Sequence, residues 1–149
     1  MKTAEIHTSK GILEVSFFEE DAPITVDNFI KLAKKGYYDN TTFHRVIPTF
    51  VIQGGDPTGT GAGGPGYTIP DELTGNNQYH DRGVLSMAKT SAPNTGGSQF
   101  FICLSREATK HLDRIHTCFG KLIKGEEFIS SIKQGDKIEK IVVNEGLAE

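Results

Sequence analysis

Apolar residues in this 149-residue chain come only in short runs, the longest being Phe100 to Leu104. Glycine, proline and polar clusters separate them, and 17 glycines are spread through the chain. Residues 3–8 and 12–18 read as a hairpin around Ser9-Lys10-Gly11. Leu13, Val15 and Phe17 alternate there with Glu14 and Ser16, giving one buried face and one wet face. Further short strands are expected at 84–88, 100–104, 117–123 and 137–143. Val26, Phe29, Ile30 and Ala33 recur instead at helical spacing. Pro23 suits a first helical turn, and Gly36 follows Lys34 and Lys35 as a stop, so a helix is expected over 24–35. Phe128, Ile129 and Ile132 suggest a second helix after Gly125, ending near Gly135. Many short strands with two distant helices point to an all-β barrel with helical caps.

Composition narrows the function classes. The length is that of one domain, residues 1–149, with no repeat or linker. The net charge of −3 gives no basic footprint for nucleic acid. No run is long enough to span a membrane. Glu5 and His7 stand where a signal peptide would be apolar, so none is expected and the location reads as cytoplasmic. Cys103 and Cys118 lie in apolar strand-like runs without CxxC spacing, and read as buried, reduced thiols. Asn40-Thr41-Thr42 matches a glycosylation acceptor, which carries no meaning in a cytosolic chain.

Residues 57–66 contain GxGxxG twice, at Gly59/Gly61/Gly64 and Gly61/Gly63/Gly66. A dinucleotide site would need a helix to open there, but Pro65 and Pro70 stand in its way and no βαβ unit follows. The segment reads as an irregular surface loop.

The stretch Phe43 to Asp56 carries the chemistry. It sets Arg45, Gln53 and His44 among apolar residues. Arg45, Val51 and Gln53 share parity, so Val51 and Gln53 face one side of a strand, and Pro48 divides the segment into two short strands. A cationic fork and an amide beside Phe and Val suit an apolar ligand with a polar backbone. An ordinary half-buried strand with a surface arginine fits the pattern as well.

The literal sequence FHRVIP-x-F-x-x-QGGD resembles a signature of the cyclophilin family of peptidyl-prolyl cis/trans isomerases. Pro93-Asn94-Thr95-Gly96-Gly97-Ser98-Gln99-Phe100-Phe101-Ile102 resembles the family's second signature. His111-Leu112-Asp113, His116 and Phe119-Gly120-Lys121 follow in the family's order, and the similarity runs from about Thr3 to about Asn144.

The resemblance implies a closed eight-stranded antiparallel β-barrel capped by two α-helices, with a substrate groove on its outside. It implies rotation about X–Pro bonds of proline-containing peptides and unfolded or partly folded proteins, without metal or cofactor. Arg45 matches the catalytic arginine, Gln53 the residue that bonds the substrate backbone, and His44 a groove residue beside the arginine. Phe50, Val51, Phe101, Leu112 and His116 match the pocket that grips the proline ring. Val51 stands where many members have the larger methionine. Ala88 and the loop after it match the wall for residues before proline, and that loop is one residue longer than the commonest form. Asn94 reads as mainly structural. His111 stands where cyclosporin-sensitive members typically carry tryptophan, so weakened cyclosporin binding is expected. A monomer is expected.

From pattern alone, Phe50, Phe101 and Leu112 read more readily as core, and His44 and His116 could be structural. His111, Asp113 and His116 offer a metal no further ligand cluster. A Ser/His/Asp hydrolase reading lacks a GxSxG-type turn. A module that holds Pro-peptides without turnover is the competing function, and Arg45 favours the enzyme.

Overall fold

The structure, a computed structural model, describes residues 2–145. Strands β1 (Thr3–Thr8) and β2 (Gly11–Phe17) form the expected hairpin. Its turn is closed by Thr8, whose hydroxyl donates to the Gly11 carbonyl at 2.6 Å and accepts from the Lys10 and Gly11 amides. Helix α1 (Pro23–Lys34) follows, within one residue of the expected span. Strands β3 (Thr41–Thr42), β4 (Arg45–Ile47) and β5 (Val51–Gly54) come next. After the glycine-rich loop lie β6 (Val84–Met87), β7 (Phe100–Cys103), α2 (Arg106–Thr109), β8 (Cys118–Lys124), α3 (Glu126–Ile129) and β9 (Lys137–Asn144).

Among the described residues nine strands join one antiparallel sheet in the order β3-β9-β1-β2-β8-β6-β7-β5-β4. This corrects the closed eight-stranded barrel: the sheet is an open half-barrel, and its edge strands β3 and β4 do not pair. The reason lies in the crossing between them. Phe43 donates its amide to the Asp136 carbonyl at 2.9 Å and accepts from the Gly135 amide at 3.0 Å. The backbone that could close the ladder is spent on the turn before β9.

The helices also depart from expectation. α3 covers one turn only, 126–129, well short of Gly135, and α2 and a 3₁₀ turn at 110–112 add helical turns beyond the two expected helices. Four-residue helices are too short to show a period of 3.6 in sequence. No described helix is long and apolar enough to cross a membrane.

The concave face holds the main core. Phe29 of α1 meets Tyr38, Phe119, Phe100 and Phe17 at ring-centroid distances of 5.1, 5.2, 5.4 and 5.7 Å. Strand alternation then sorts side chains between the two faces. Ile52, Phe100 and Ile102 enter this core. Their neighbours Val51, Phe101 and Cys103 join a second cluster with Val84 and Cys118, against which Phe50, Ala88 and Leu112 pack. The period of two thus puts Val51 and Phe101 outside the main core. Gly55, with φ of +93°, turns the chain out of β5 where a Cβ would lie 2.4 Å from the Ser98 carbonyl.

Candidate functional site

A pocket of about 510 Å³ lies over the second cluster. It brings together Arg45, Gln53, His44, Phe50, Val51, Ala88, Phe101, Leu112 and His116, nine of the ten residues singled out in the sequence. The tenth, His111, sits on the rim with its ring stacked on Phe50 at 6.1 Å. The pocket also includes Lys89, from the loop after Ala88 that the resemblance assigns to the wall, and Thr60 and Gly61 from the glycine-rich loop, which the sequence offered only as an irregular surface loop.

The β4–β5 hairpin supplies the polar side. Arg45 and Gln53 are register partners, and Arg45 Nη1 donates to Gln53 Oε1 at 3.1 Å. Gln53 Nε2 donates to Gln99 Oε1 at 3.1 Å, and Gln99 Nε2 donates to the Gly61 and Gly63 carbonyls, both at 2.9 Å. The guanidinium is therefore oriented by a relay ending in the glycine-rich loop. Gln99 was missed, though it lies two residues before Phe101 and so shares its parity.

That loop has no helix and is organised by a carboxylate. Asp56 accepts from the amides of Thr58 (2.8 Å), Gly61 (2.7 Å) and Gly63 (3.0 Å) and from the Thr58 hydroxyl (2.8 Å). Burial alone would raise the Asp56 pKa, but the bonds from Gly63, Thr58 and Gly61 outweigh it and hold the carboxyl at about 2. A Cβ on Gly63 would lie 2.0 Å from Asp56 Oδ1, so only glycine lets the backbone approach this closely.

His44 lies between Arg45 and this loop. Both ring nitrogens are buried without a hydrogen-bond partner among the described residues, and burial lowers the ring's pKa against the pull of Asp56.

The apolar side is fixed by rings. Phe101 stacks on His80 at 5.8 Å and meets the His116 ring edge-on at 5.5 Å. His116 Nδ1 lies 2.9 Å from the Met87 carbonyl, which places the proton on that nitrogen. Burial lowers the His116 pKa, with the Met87 carbonyl opposing.

Behind Phe101, His80 has no exposed surface. Its Nδ1 is 3.1 Å from Asp113 Oδ1 and its Nε2 2.8 Å from Ser86 Oγ. Asp113 is clamped by Arg106 at 2.9 and 2.7 Å. Burial pushes the His80 pKa down to about 4, against the pull of Asp113. The Ser86–His80–Asp113 arrangement has the distances of a hydrolase triad. Yet Ser86 is fully buried, with the Thr117 carbonyl as its second partner at 3.2 Å, so no substrate reaches it. The arrangement braces the pocket floor. His80 was missed because a lone histidine in a polar stretch carries no pattern. Cys103 and Cys118 are free and buried nearby; burial pushes the Cys103 thiol to about 12 and raises Cys118 too.

Comparison with known proteins identifies the family. The family model for cyclophilin type peptidyl-prolyl cis-trans isomerases matches residues 3–146. A peptidyl-prolyl cis-trans isomerase of Synechococcus elongatus is 50% identical over 145 residues, covering 96% of this chain and 97% of the relative. Peptidyl-prolyl cis-trans isomerase B of Bacillus subtilis is 52% identical over 131 residues, covering 88% of this chain and 90% of the relative. The crystal structure of a cyclophilin type isomerase from Cryptosporidium parvum, determined in the presence of the dipeptide Ala-Pro, superposes with a TM-score of 0.88. It is 40% identical and the match covers 97% of this chain and 99% of that one. The chain therefore belongs to the cyclophilin-type peptidyl-prolyl cis-trans isomerases.

Proposed function

We propose that the 510 Å³ pocket seats the proline ring and that Arg45 stabilises the twisted X–Pro amide. The barrier to rotation is roughly 18–20 kcal/mol. Twisting removes amide resonance and returns a lone pair to the prolyl nitrogen. A donor aimed at that nitrogen favours the transition state over either planar isomer. Arg45 is suited because its guanidinium stays protonated and presents a planar fork. Lowering the barrier by about 7 kcal/mol gives roughly a 10⁵-fold acceleration. No bond is made or broken, so the reaction needs no metal or cofactor.

Phe50, Val51, Phe101, Leu112 and His116 grip the ring, Gln53 orients Arg45 and meets the substrate backbone, and Ala88 forms the wall before the proline. His44 flanks the arginine, and His111 closes the rim. The substrates are exposed X–Pro segments of unfolded or partly folded proteins, whose folding the enzyme assists. It acts as a monomer, and cyclosporin binds weakly because His111 offers less apolar area than tryptophan. Buried free thiols suit a reducing compartment such as the cytoplasm.

The observation that carries this reading is the Arg45–Gln53 bond at the edge of an apolar pocket floored by Phe101. The Ala-Pro present with the Cryptosporidium relative supports a ligand of that size. The test is a two-dimensional exchange spectrum of an Ala-Pro peptide with the protein at catalytic amounts. Cis/trans exchange peaks should appear, with shifts at Phe101, Leu112 and His116. A peptide that shifts those residues without faster exchange would leave a binding module and overturn the isomerase mechanism.

A further inference from the structure

Lys89 lies two residues past the end of β6, after Ala88, and lines both of two neighbouring cavities. One is the proposed proline pocket. The other, about 720 Å³, lies between the glycine-rich loop and the loop before β7. The two share Gln53, Gly61, Ala88 and Lys89. Lys89 is the only formally charged residue lining the larger one.

This lysine is held, not free. Its side chain is only 7% exposed, and Nζ lies 3.2 Å from Asp71 Oδ2. Asp71 is itself fixed: its amide donates to Asn94 Oδ1 at 2.9 Å, and the Asn94 amide donates to Asp71 Oδ2 at 3.1 Å. Asp71 lies behind the wall and lines neither cavity. An ammonium has three N–H donors, and among the described residues only Asp71 accepts from this one. The neighbouring Thr90 and Thr95 hydroxyls bond each other at 3.0 Å. The two other N–H groups of Lys89 have no protein acceptor among the described residues, in a side chain that is almost fully buried and lines both cavities, and donors left unmet in such surroundings are costly.

An extended peptide shows what meets them. Side chains alternate along it, so with proline in its pocket the preceding residue X points away. The residue two before proline returns to the side of the proline pocket, which the larger cavity adjoins through Gln53, Gly61, Ala88 and Lys89. We propose that Lys89, anchored by Asp71, makes the enzyme select substrates bearing a side-chain acceptor, Glu or Asp above all, two residues before the proline. This inference rests on the neighbouring pocket being the proline site.

The test uses four peptides that differ only at that position, carrying Glu, Gln, Ala or Lys, with kcat/KM for each from exchange spectroscopy. The wild type should rank them Glu, Gln, Ala, Lys, with Glu over Ala by about tenfold, as expected of one charge-assisted bond. In Lys89→Met, which keeps the apolar stem, the Glu/Ala ratio should fall to about one. Asp71→Asn gives an independent arm: it removes the counter-charge and should raise the ratio. A wild-type ratio near one, a ratio preserved in Lys89→Met, or one lowered in Asp71→Asn would each overturn the proposal. Absence of turnover on all four peptides would instead overturn the reading of the proline pocket.

Discussion

Arg45 and Gln53 face each other across the paired strands β4 and β5, and the guanidinium donates to the amide oxygen at 3.1 Å. Each is half of a device that neither could form alone. Gln53→Ala should release the arginine without removing its charge. One lost hydrogen bond of about 1 kcal/mol predicts a fall of roughly fivefold in kcat/KM. Stopped-flow exchange kinetics with unchanged circular dichroism would check this, and an unaltered rate would show that Arg45 is aimed by something else.

The buried His80 predicts an acid-sensitive fold. Its pKa is pushed down from the usual value near 6.5 to about 4 in the folded state. Between those values the unfolded chain binds a proton that the folded chain refuses. Stability therefore rises with pH across the window and is lost as pH falls through it, by about 3 kcal/mol in all. Urea titrations at pH 6.5 and 5 should show a loss of about 2 kcal/mol. His80→Gln cannot titrate and should show a markedly smaller loss. Equal losses in the two proteins would assign the acid sensitivity elsewhere.

Thr49 sits at the tip of the β4–β5 hairpin with φ of +64°, in a region that β-branched side chains rarely adopt. Such strain costs on the order of 1 kcal/mol or more, while glycine loses extra entropy on folding. Thr49→Gly should therefore raise stability by about 0.5–1 kcal/mol. A lower urea midpoint in this variant would mean that the threonine side chain makes an offsetting contact.

The rim offers a test by ligand. His111 stacks on Phe50 beside the pocket mouth, where an indole would offer more apolar surface and its own donor. His111→Trp should tighten cyclosporin binding, and calorimetry showing equal or weaker affinity would contradict the proposed rim contact.

How far the sequence discloses these features depends on the range of the interactions involved. The 3–8 and 12–18 hairpin, the helix beginning at Pro23 and the division at Pro48 all follow from local periodicity and proline chemistry. The pocket was legible through motif resemblance, because periodicity alone could not separate Phe101 from core residues. Closure of the sheet was not legible. It turns on whether Phe43 bonds to β4's surroundings or to the 135–136 turn, a contact between residues 92 and 93 positions apart. The two-residue strand at Thr41–Thr42 and the four-residue α2 carry too few residues for any period. His80, Gln99 and the anchoring of Lys89 escaped for a related reason: each depends on a partner brought by another segment, Asp113, Gln53 and Asp71 respectively.

The central claim is that Arg45 acts on the twisted amide and not on either planar isomer. Removing one preorganised transition-state donor typically costs about 10²–10³ in rate. Arg45→Ala should show that loss in catalysed exchange while peptide affinity changes little, because the pocket built on Phe50, Phe101 and Leu112 is intact. Phe101→Ala should differ by weakening affinity and turnover together. The decisive measurement is exchange rate and affinity on the same X–Pro peptide, for wild type and Arg45→Ala, with the fold verified. A 10²-fold or greater fall in rate at near-constant affinity is the expected result. Near wild-type exchange in Arg45→Ala would contradict the account and leave the arginine a binding residue only.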